Sequence, residues 1–174
     1  MTKGMKLKPA TIEIIEKVIP RYPEKRSAVM PLLHRIQEDQ GVISNEAVEW
    51  VARKLEMAPI NVLEVVTFFP YFRQKKLGRT HVRVCQTLSC ALMGAYQVGE
   101  ELEKALDCKM GTTRADGKVT LEYAECLASC GSGPVVLVDE DLFEHLKAPE
   151  LKPLIEEIRK RAESGGEPTE GSGD

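Results

Sequence analysis

The sequence lacks any apolar run long enough to cross a membrane. No stretch of the 174 residues approaches the roughly 20 consecutive apolar residues that a transmembrane helix needs. A secretory signal is missing too, because the lysines of the first ten residues have no apolar run behind them. We therefore expect a soluble, cytoplasmic protein with no segment of its own in a membrane.

An excess of positive charge is also missing. The chain has 24 Lys and Arg against 27 Asp and Glu, a net charge of −3, which argues against a general nucleic-acid-binding protein. No glycine-rich phosphate loop is present, since "GSGP" leads into a predicted strand rather than a helix. The histidines His34, His81 and His145 are scattered, without a convergent nucleophile or carboxylate. The chain itself is not expected to make or break covalent bonds in a substrate.

The cysteine count is odd, at five, which suits a disulfide framework poorly. Disulfides are in any case rare in the reducing cytosol. Four of the thiols form two close pairs, Cys85 with Cys90 and Cys126 with Cys130. Clustered thiols in that compartment more often bind a metal or take part in redox chemistry. Cys108 stands apart, and we expect it to be a buried, inert thiol.

Apolar residues recur at helical spacing through residues 1–75, which predicts a domain of four short amphipathic helices. Gly41 is a predicted helix end and Ser44 a predicted cap, and Pro59 suits the first turn of the fourth helix. The residues predicted to face inward are Ile12, Ile15, Val18, Ile19, Val29, Leu32, Leu33, Ile36, Val48, Val51, Leu55, Val62, Leu63, Val66 and Phe69.

Four aromatic residues in a stretch of five follow the last of these helices. Phe68, Phe69, Tyr71 and Phe72 mark either a partner interface or internal packing against the next domain. For Phe69 we favour internal packing. The charged segment "FRQKKLGRTH", broken by Gly78, is predicted to be a linker.

Residues 80–162 show a different pattern. Strands are predicted at "HVRVC" and "PVVLV", and "TTRADGKVTLEY" predicts a hairpin with a two-residue turn at Asp116-Gly117. The segment "ALMGAYQVGEELEKAL" predicts one helix with Leu92 and Tyr96 on the same side as its leucines, and "APELKPLIEEIRKR" a closing helix. This order predicts a small mixed sheet covered by helices, so the fold class is α+β.

Residues 163–174 have almost nothing to bury and are expected to form a disordered tail.

Both cysteine pairs are predicted to lie at strand ends, and neighbouring strands would make the four thiolates converge on a single point. A [2Fe–2S] cluster needs two thiolates per iron, which two facing pairs supply. The compact cysteine run typical of a [4Fe–4S] cluster is absent. We therefore favour a [2Fe–2S] cluster held by Cys85, Cys90, Cys126 and Cys130.

Other interpretations stay open. A structural zinc site accepts these spacings and would make the chain a zinc-stabilised interaction module with no redox role. A further alternative is that the four cysteines are small residues of an apolar core. A thiol–disulfide oxidoreductase is disfavoured, because that chemistry uses two residues between its cysteines.

The loops around the pairs suit a cluster. Gly131 and Gly133 are expected to let the backbone approach the sulfurs closely and to aim N–H groups at them. The hydroxyls of Thr87, Ser89 and Ser129 either donate further hydrogen bonds to the sulfurs or serve only to solvate the loops. Pro134 ends the second loop and opens the next strand.

The pattern Cys85-x4-Cys90 followed by Cys126-x3-Cys130 resembles that of the thioredoxin-like [2Fe–2S] ferredoxins. It is most similar to the small, 24-kilodalton cluster-bearing component of the NADH-oxidising module of NADH:quinone oxidoreductase, respiratory complex I. The resemblance covers roughly residues 10–160 and extends to four longer motifs. These are "MPLLHRIQEDQGVIS", "VLEVVTFF", "GRTHVRVCQTLSCALMGA" and "DGKVTLEYAECLASCGSGPVVLV".

The resemblance implies a thioredoxin-like domain over 80–162 that carries one [2Fe–2S] cluster. It implies an oxidoreductase subunit that supplies the iron–sulfur centre and not the NADH site, with FMN and NADH bound by a partner flavoprotein subunit. The assembly would be the peripheral arm of a complex on the cytoplasmic side of a membrane. Equivalent subunits of NAD-linked hydrogenases and formate dehydrogenases stay open as alternatives.

Two departures from the family pattern stand out. Pro70 follows "TFF", where it would alter how the helical region meets a partner, and "LAS" between Cys126 and Cys130 lacks the glycine often seen there. The second departure is expected to change the local hydrogen bonds and the reduction potential.

Overall fold

The computed structural model describes residues 5–164. It divides into two compact units, one ending at Lys76 and one beginning at Leu77, and each is described by itself. No helix within the described range is both long and apolar enough to cross a membrane. The predicted tail at 163–174 lies, from residue 165 onward, outside the described residues.

The first unit consists of the predicted helices. Gly41 ends the second of them in the left-handed region, at φ 77°, and its N–H donates to Gln37 O at 2.7 Å. Proline occupies the first turn of the first and fourth helices, where its missing N–H has no partner to lose. The helices are α1 (Pro9–Val18), α2 (Val29–Gln40), α3 (Asn45–Leu55) and α4 (Pro59–Phe68).

The core of this unit contains most of the residues predicted to face inward. Ile12 is an exception, since its side chain is 39% exposed. In α1 the single fully enclosed residue is Ile15. Of the aromatic stretch, Phe72 is buried in this core and Phe69 packs against it half-buried, whereas Phe68 is exposed. The fully enclosed residues of α2 to α4 are Leu32, Leu33, Ile36, Val51 and Val62.

Replacing Ser44 with alanine is expected to lower the free energy of unfolding by about 1 kcal/mol. The Ser44 hydroxyl accepts a hydrogen bond from the Ala47 N–H at 3.2 Å, and alanine leaves that donor of α3 without its cap. Trp50, the single tryptophan, lies on α3, so its fluorescence during urea unfolding reports the loss. The same change at exposed Ser27 is the control, and an equal loss there would contradict the capping role.

The second unit is built on a five-stranded mixed sheet in the order β2-β3-β1-β4-β5. The two longest strands, β1 and β3, are parallel, and every other neighbouring pair is antiparallel. The α+β class predicted from the sequence is confirmed. The strands are β1 (Thr80–Cys85), β2 (Thr112–Thr113), β3 (Val119–Ala124), β4 (Val136–Val138) and β5 (Asp141–Phe143).

The helix predicted as one segment after β1 is divided in two. A short α5 (Leu88–Leu92) and a longer α6 (Ala95–Leu106) are separated by Gly94, whose φ of 98° breaks the helical path. The prediction that Leu92 and Tyr96 share the face of the α6 leucines is therefore wrong, since both are exposed. A closing helix, α7 (Lys152–Ser164), packs with α6 against β1.

Gly78 packs directly against β3. Its N–H donates to Thr120 Oγ1 at 2.5 Å, and a Cβ on Gly78 would lie 2.6 Å from the carbonyl carbon of Val119. Because the obstructing atoms are backbone, no side chain fits there. Gly78 is therefore a packing residue of the second unit and not simply a break in a linker.

The predicted hairpin is present, but its turn is longer than two residues. Arg114 N–H donates to Val119 O at 2.8 Å, which leaves residues 115–118 as the turn. Gly117 within it adopts a φ of 70°, as glycine does readily.

Candidate metal centre

The two cysteine pairs lie at the same edge of the sheet. Because β1 and β3 are parallel, their carboxyl ends meet, and Cys85 stands in register with Ala124. The Gln86 N–H continues the ladder to Ala124 O at 3.0 Å. Cys126 follows two residues later, so parallel pairing brings together two loops that are far apart in sequence.

The first pair is buried. Cys85 ends β1, Cys90 lies within α5, and each is 1% exposed. Burial opposes ionisation of Cys85, but hydrogen bonds from the Thr87 hydroxyl, at 3.2 Å, and the Leu127 N–H outweigh it and hold the pKa of the Cys85 thiol below its usual value. Burial and the hydrogen bond with Cys85 raise the pKa of Cys90. Hydrogen bonding thus favours the thiolate form at Cys85 over Cys90.

The second pair is exposed. The Sγ atoms of Cys126 and Cys130 lie 3.9 Å apart, and two thiolates bound tetrahedrally to one metal at about 2.3 Å would stand about 3.8 Å apart. The hydrogen bond and charge of Cys126 raise the pKa of Cys130. A bound cation removes this repulsion between thiolates.

Ala128 shapes the loop between these two cysteines. Its φ is 60°, in the left-handed region where glycine would be unstrained. In this conformation the Ala128 N–H donates to Cys126 Sγ at 3.3 Å. The loop "LAS", which lacks the glycine often seen in the family, thus contains Ala128 in the left-handed conformation. The backbone N–H of Ala128 donates a hydrogen bond to a cysteine sulfur.

The two pairs are adjacent without forming a single four-sulfur group. The Ser89 hydroxyl hydrogen-bonds Cys130 Sγ, and Cys130 interacts electrostatically with both Cys85 and Cys90. Within residues 5–164, however, no three His, Cys, Asp or Glu side chains stand close enough to share one metal ion. The convergence of all four thiols on one cluster stays a prediction. Two adjacent pairs fit two irons with two thiolates each.

Gly133 lies in a tight space beside the first pair, and Gly131 does not. A Cβ on Gly133 would lie 3.2 Å from Cys90 Sγ and 3.3 Å from Met93 Sδ. At Gly131 a Cβ would meet nothing within 4 Å. Of the two glycines expected to admit the backbone to the sulfurs, only Gly133 does so on steric grounds.

We expect Gly133→Ala to shift the g values of the reduced protein's electron paramagnetic resonance (EPR) signal. The added methyl group forces Cys90 Sγ to yield by a few tenths of an ångström, which changes the geometry at the iron it is predicted to bind. Gly131→Ala is the matched control, because its methyl group points into open space. Identical spectra for both variants and the wild type would contradict the role assigned to Gly133.

A carboxylate that the sequence analysis did not identify supports the second loop. Glu144, just after β5, accepts hydrogen bonds from the hydroxyls of Ser129 and Ser132, which lower the pKa of Glu144. The His145 N–H also donates to Ser132 O at 2.7 Å. Ser129, for which donation to sulfur and simple solvation of the loop were both left open, hydrogen-bonds Glu144 and Ser132. In the sequence, the apolar pair Leu142-Phe143 indicates β5, the strand that Glu144 follows. Two apolar residues are too few to distinguish a strand from a loop.

The remaining candidates lie elsewhere. Cys108 is buried, with its Sγ 3.5 Å from Thr112 O, which confirms the prediction of a buried thiol. His81 lies near the start of β1, where its Nε2 is 2.7 Å from Glu122 Oε1. His34 packs against Tyr71, with ring centroids 4.6 Å apart.

Comparison with known proteins identifies the arrangement. A family model described as thioredoxin-like [2Fe-2S] ferredoxin matches residues 15–159. The E-type subunit of the NADH-quinone oxidoreductase of Rickettsia felis is 38% identical over 149 residues, covering 84% of this chain and 89% of that protein. The NADH-quinone oxidoreductase subunit 2 of Thermus thermophilus is 35% identical over 150 residues, covering 84% of this chain and 83% of that protein.

A solved structure shares the fold. The chain superposes on part of a NAD+-reducing [NiFe]-hydrogenase in the air-oxidized state with a TM-score of 0.63, at 17% identity. The match covers 77% of this chain and 23% of the hydrogenase chain. At this identity the likeness concerns the fold alone.

Proposed function

Because this chain belongs to the thioredoxin-like [2Fe–2S] ferredoxin family, we propose that Cys85, Cys90, Cys126 and Cys130 are the ligands of its iron–sulfur cluster. The resemblance found in the sequence is confirmed, and the chain is an electron-transfer subunit of an oxidoreductase complex. The observation that supports the ligand assignment is the meeting of two thiol pairs at one sheet edge, with 3.9 Å between Cys126 Sγ and Cys130 Sγ. The ligand assignment itself stays a prediction.

The residues of this chain position and tune the site. The buried pair on β1 and α5 and the exposed pair on the opposite loop would each hold one iron of a [2Fe–2S] cluster, which accepts and releases one electron at a time. Thr87 and Ser89, with the N–H groups of Leu127 and Ala128, stabilise negative charge on the sulfurs. Because Cys126 and Cys130 are exposed, a cluster held by them would be accessible to a partner from that side.

The proposed electron donor is the FMN of a flavoprotein subunit that also binds NADH. NADH delivers two electrons as a hydride, whereas a binuclear cluster exchanges them singly, so a flavin between them divides the pair. The names of the curated relatives support placement in an NADH-quinone oxidoreductase. In that assembly the chain would belong to the peripheral arm on the cytoplasmic side of the membrane.

The proposal is tested by iron and sulfide analysis of the purified chain with EPR after reduction. We expect two irons and two sulfides per chain, from the stoichiometry of a [2Fe–2S] centre, and an EPR signal after dithionite. A colourless protein with one zinc per chain and no EPR signal would overturn the proposal. Co-purification with a hydrogenase instead of a quinone-reducing complex would overturn only the choice of assembly.

A further inference from the structure

An exposed apolar surface lies beside the cysteine pairs. Leu88 and Leu92 on α5 are 75% and 79% exposed, and residues four apart on a helix share a face. Met93 and Tyr96 are also exposed. We call these four residues the α5 patch. Single exposed apolar residues are ordinary, but a continuous group of large ones usually binds something.

The α5 patch is attached to the candidate metal centre. Cys90 lies on α5 between Leu88 and Leu92. Met93 Sδ lies 3.3 Å from the position of a Cβ at Gly133, in the second cysteine loop. Whatever covers the α5 patch would therefore lie close to the predicted cluster.

The two segments of chain that form the cysteine-bearing edge have no lysine or arginine of their own. Segments 84–103 and 119–146 hold both cysteine pairs and contain neither Lys nor Arg, although the chain has 24 of these residues. Glu125 and Glu144 are exposed beside the cysteines. Bound thiolates and sulfides outweigh the charge of two ferric irons, so a cluster adds further negative charge. A partner covering this edge has to supply cations.

We propose that the α5 patch is the docking surface for the electron-donating subunit, whose contact face is apolar at its centre and basic at its rim. This inference rests on the proposed function and specifies the chemistry of the partner. Protein interfaces commonly join an apolar centre with a polar rim, and opposite charges at the rim steer association. Docking here excludes water from the exposed side of the cluster and brings the donor's cofactor close to it.

The test measures binding of the full, cluster-loaded chain to the flavoprotein subunit of the same complex by calorimetry. The double variant Leu88→Ser/Leu92→Ser is expected to bind at least about tenfold more weakly. Its EPR signal should be unchanged, because both side chains are largely exposed to solvent and neither is a predicted ligand. The control Ile12→Ser/Ile14→Ser removes two exposed apolar residues from α1 and is expected to bind as the wild type does.

The proposed attraction between acidic residues of this chain and the basic rim of the partner is tested separately, by the salt dependence of binding. The affinity of the wild type for the flavoprotein subunit should fall as NaCl is raised from about 50 mM to about 500 mM. At the higher concentration the Debye length shortens to a few ångströms, so charges at the rim no longer attract one another effectively. Glu125→Gln should bind more weakly at low salt and match the wild type at high salt. Undiminished binding by the leucine variant, an equal loss in the α1 control, or salt-independent binding would overturn the inference. Absence of an EPR signal in the wild-type chain would instead overturn the proposed function.

Discussion

Cys126→Ala is expected to abolish the [2Fe–2S] EPR signal of the reduced chain. Cys126 is exposed, and its Sγ is 3.9 Å from that of Cys130, so its removal leaves the iron of this pair with one protein thiolate. Alanine is chosen because a serine oxygen can still bind iron. Loss of a ligand should reduce cluster affinity by more than the roughly 10–100-fold that loss of an outer-shell partner costs. Iron content and EPR amplitude per chain measure the effect.

Cys108→Ala is the matched control. It also removes one thiol, but that thiol is buried against Thr112 and Val119, among the apolar residues of the second unit. A modest loss of stability is expected there, with the iron content and the EPR signal retained. The reverse outcome, signal lost in the Cys108 variant and kept in the Cys126 variant, would show the ligand assignment to be wrong.

Gly78→Ala is expected to destabilise the second unit by about 1–3 kcal/mol, the usual range for forcing atoms into a filled space. The added Cβ would lie 2.6 to 2.9 Å from backbone atoms of Val119 and Thr120, and the strand cannot move aside without disturbing its pairing with β1. This is a large fraction of the roughly 5–15 kcal/mol that stabilises a typical domain. The urea midpoint of the visible cluster absorbance measures it, because the cluster loops follow β1 and β3.

Gly131→Ala is the control for this substitution as well. Its Cβ meets nothing within 4 Å, so its effect should stay within about 0.5 kcal/mol, as for surface substitutions generally. Trp50 fluorescence reports the first unit in the same experiment. A midpoint for Gly78→Ala equal to that of Gly131→Ala would contradict the close contact with β3.

Local pattern was sufficient for much of the fold. The helices of the first unit were predictable because Leu32, Leu33 and Ile36 recur at the helical period, and because Gly41 and Ser44 carry end signals that act within a few residues. The cysteine pairs were equally readable, since the spacing within each pair is a local property of the sequence.

Two kinds of feature were not predictable: a break inside a continuous apolar pattern, and contacts between residues far apart in the chain. The break at Gly94 was hidden because apolar residues continue across it, and only its φ of 98° separates α5 from α6. The role of Glu144 was missed because it depends on a contact with Ser129, fifteen residues earlier in the chain. Gly78 contacts β3 across an even longer separation, since its hydrogen bond to Thr120 joins residues 42 positions apart in the sequence.

The parallel pairing of β1 with β3 also bears on how the protein matures. Contacts between segments so far apart are slow to form, because closing the intervening loop costs entropy. A cluster inserted after that step ties the two loops together, and metal binding of this kind adds directly to folding free energy. We therefore expect a chain starved of iron to be less stable than the cluster-loaded chain, with the loss concentrated in the two cysteine loops.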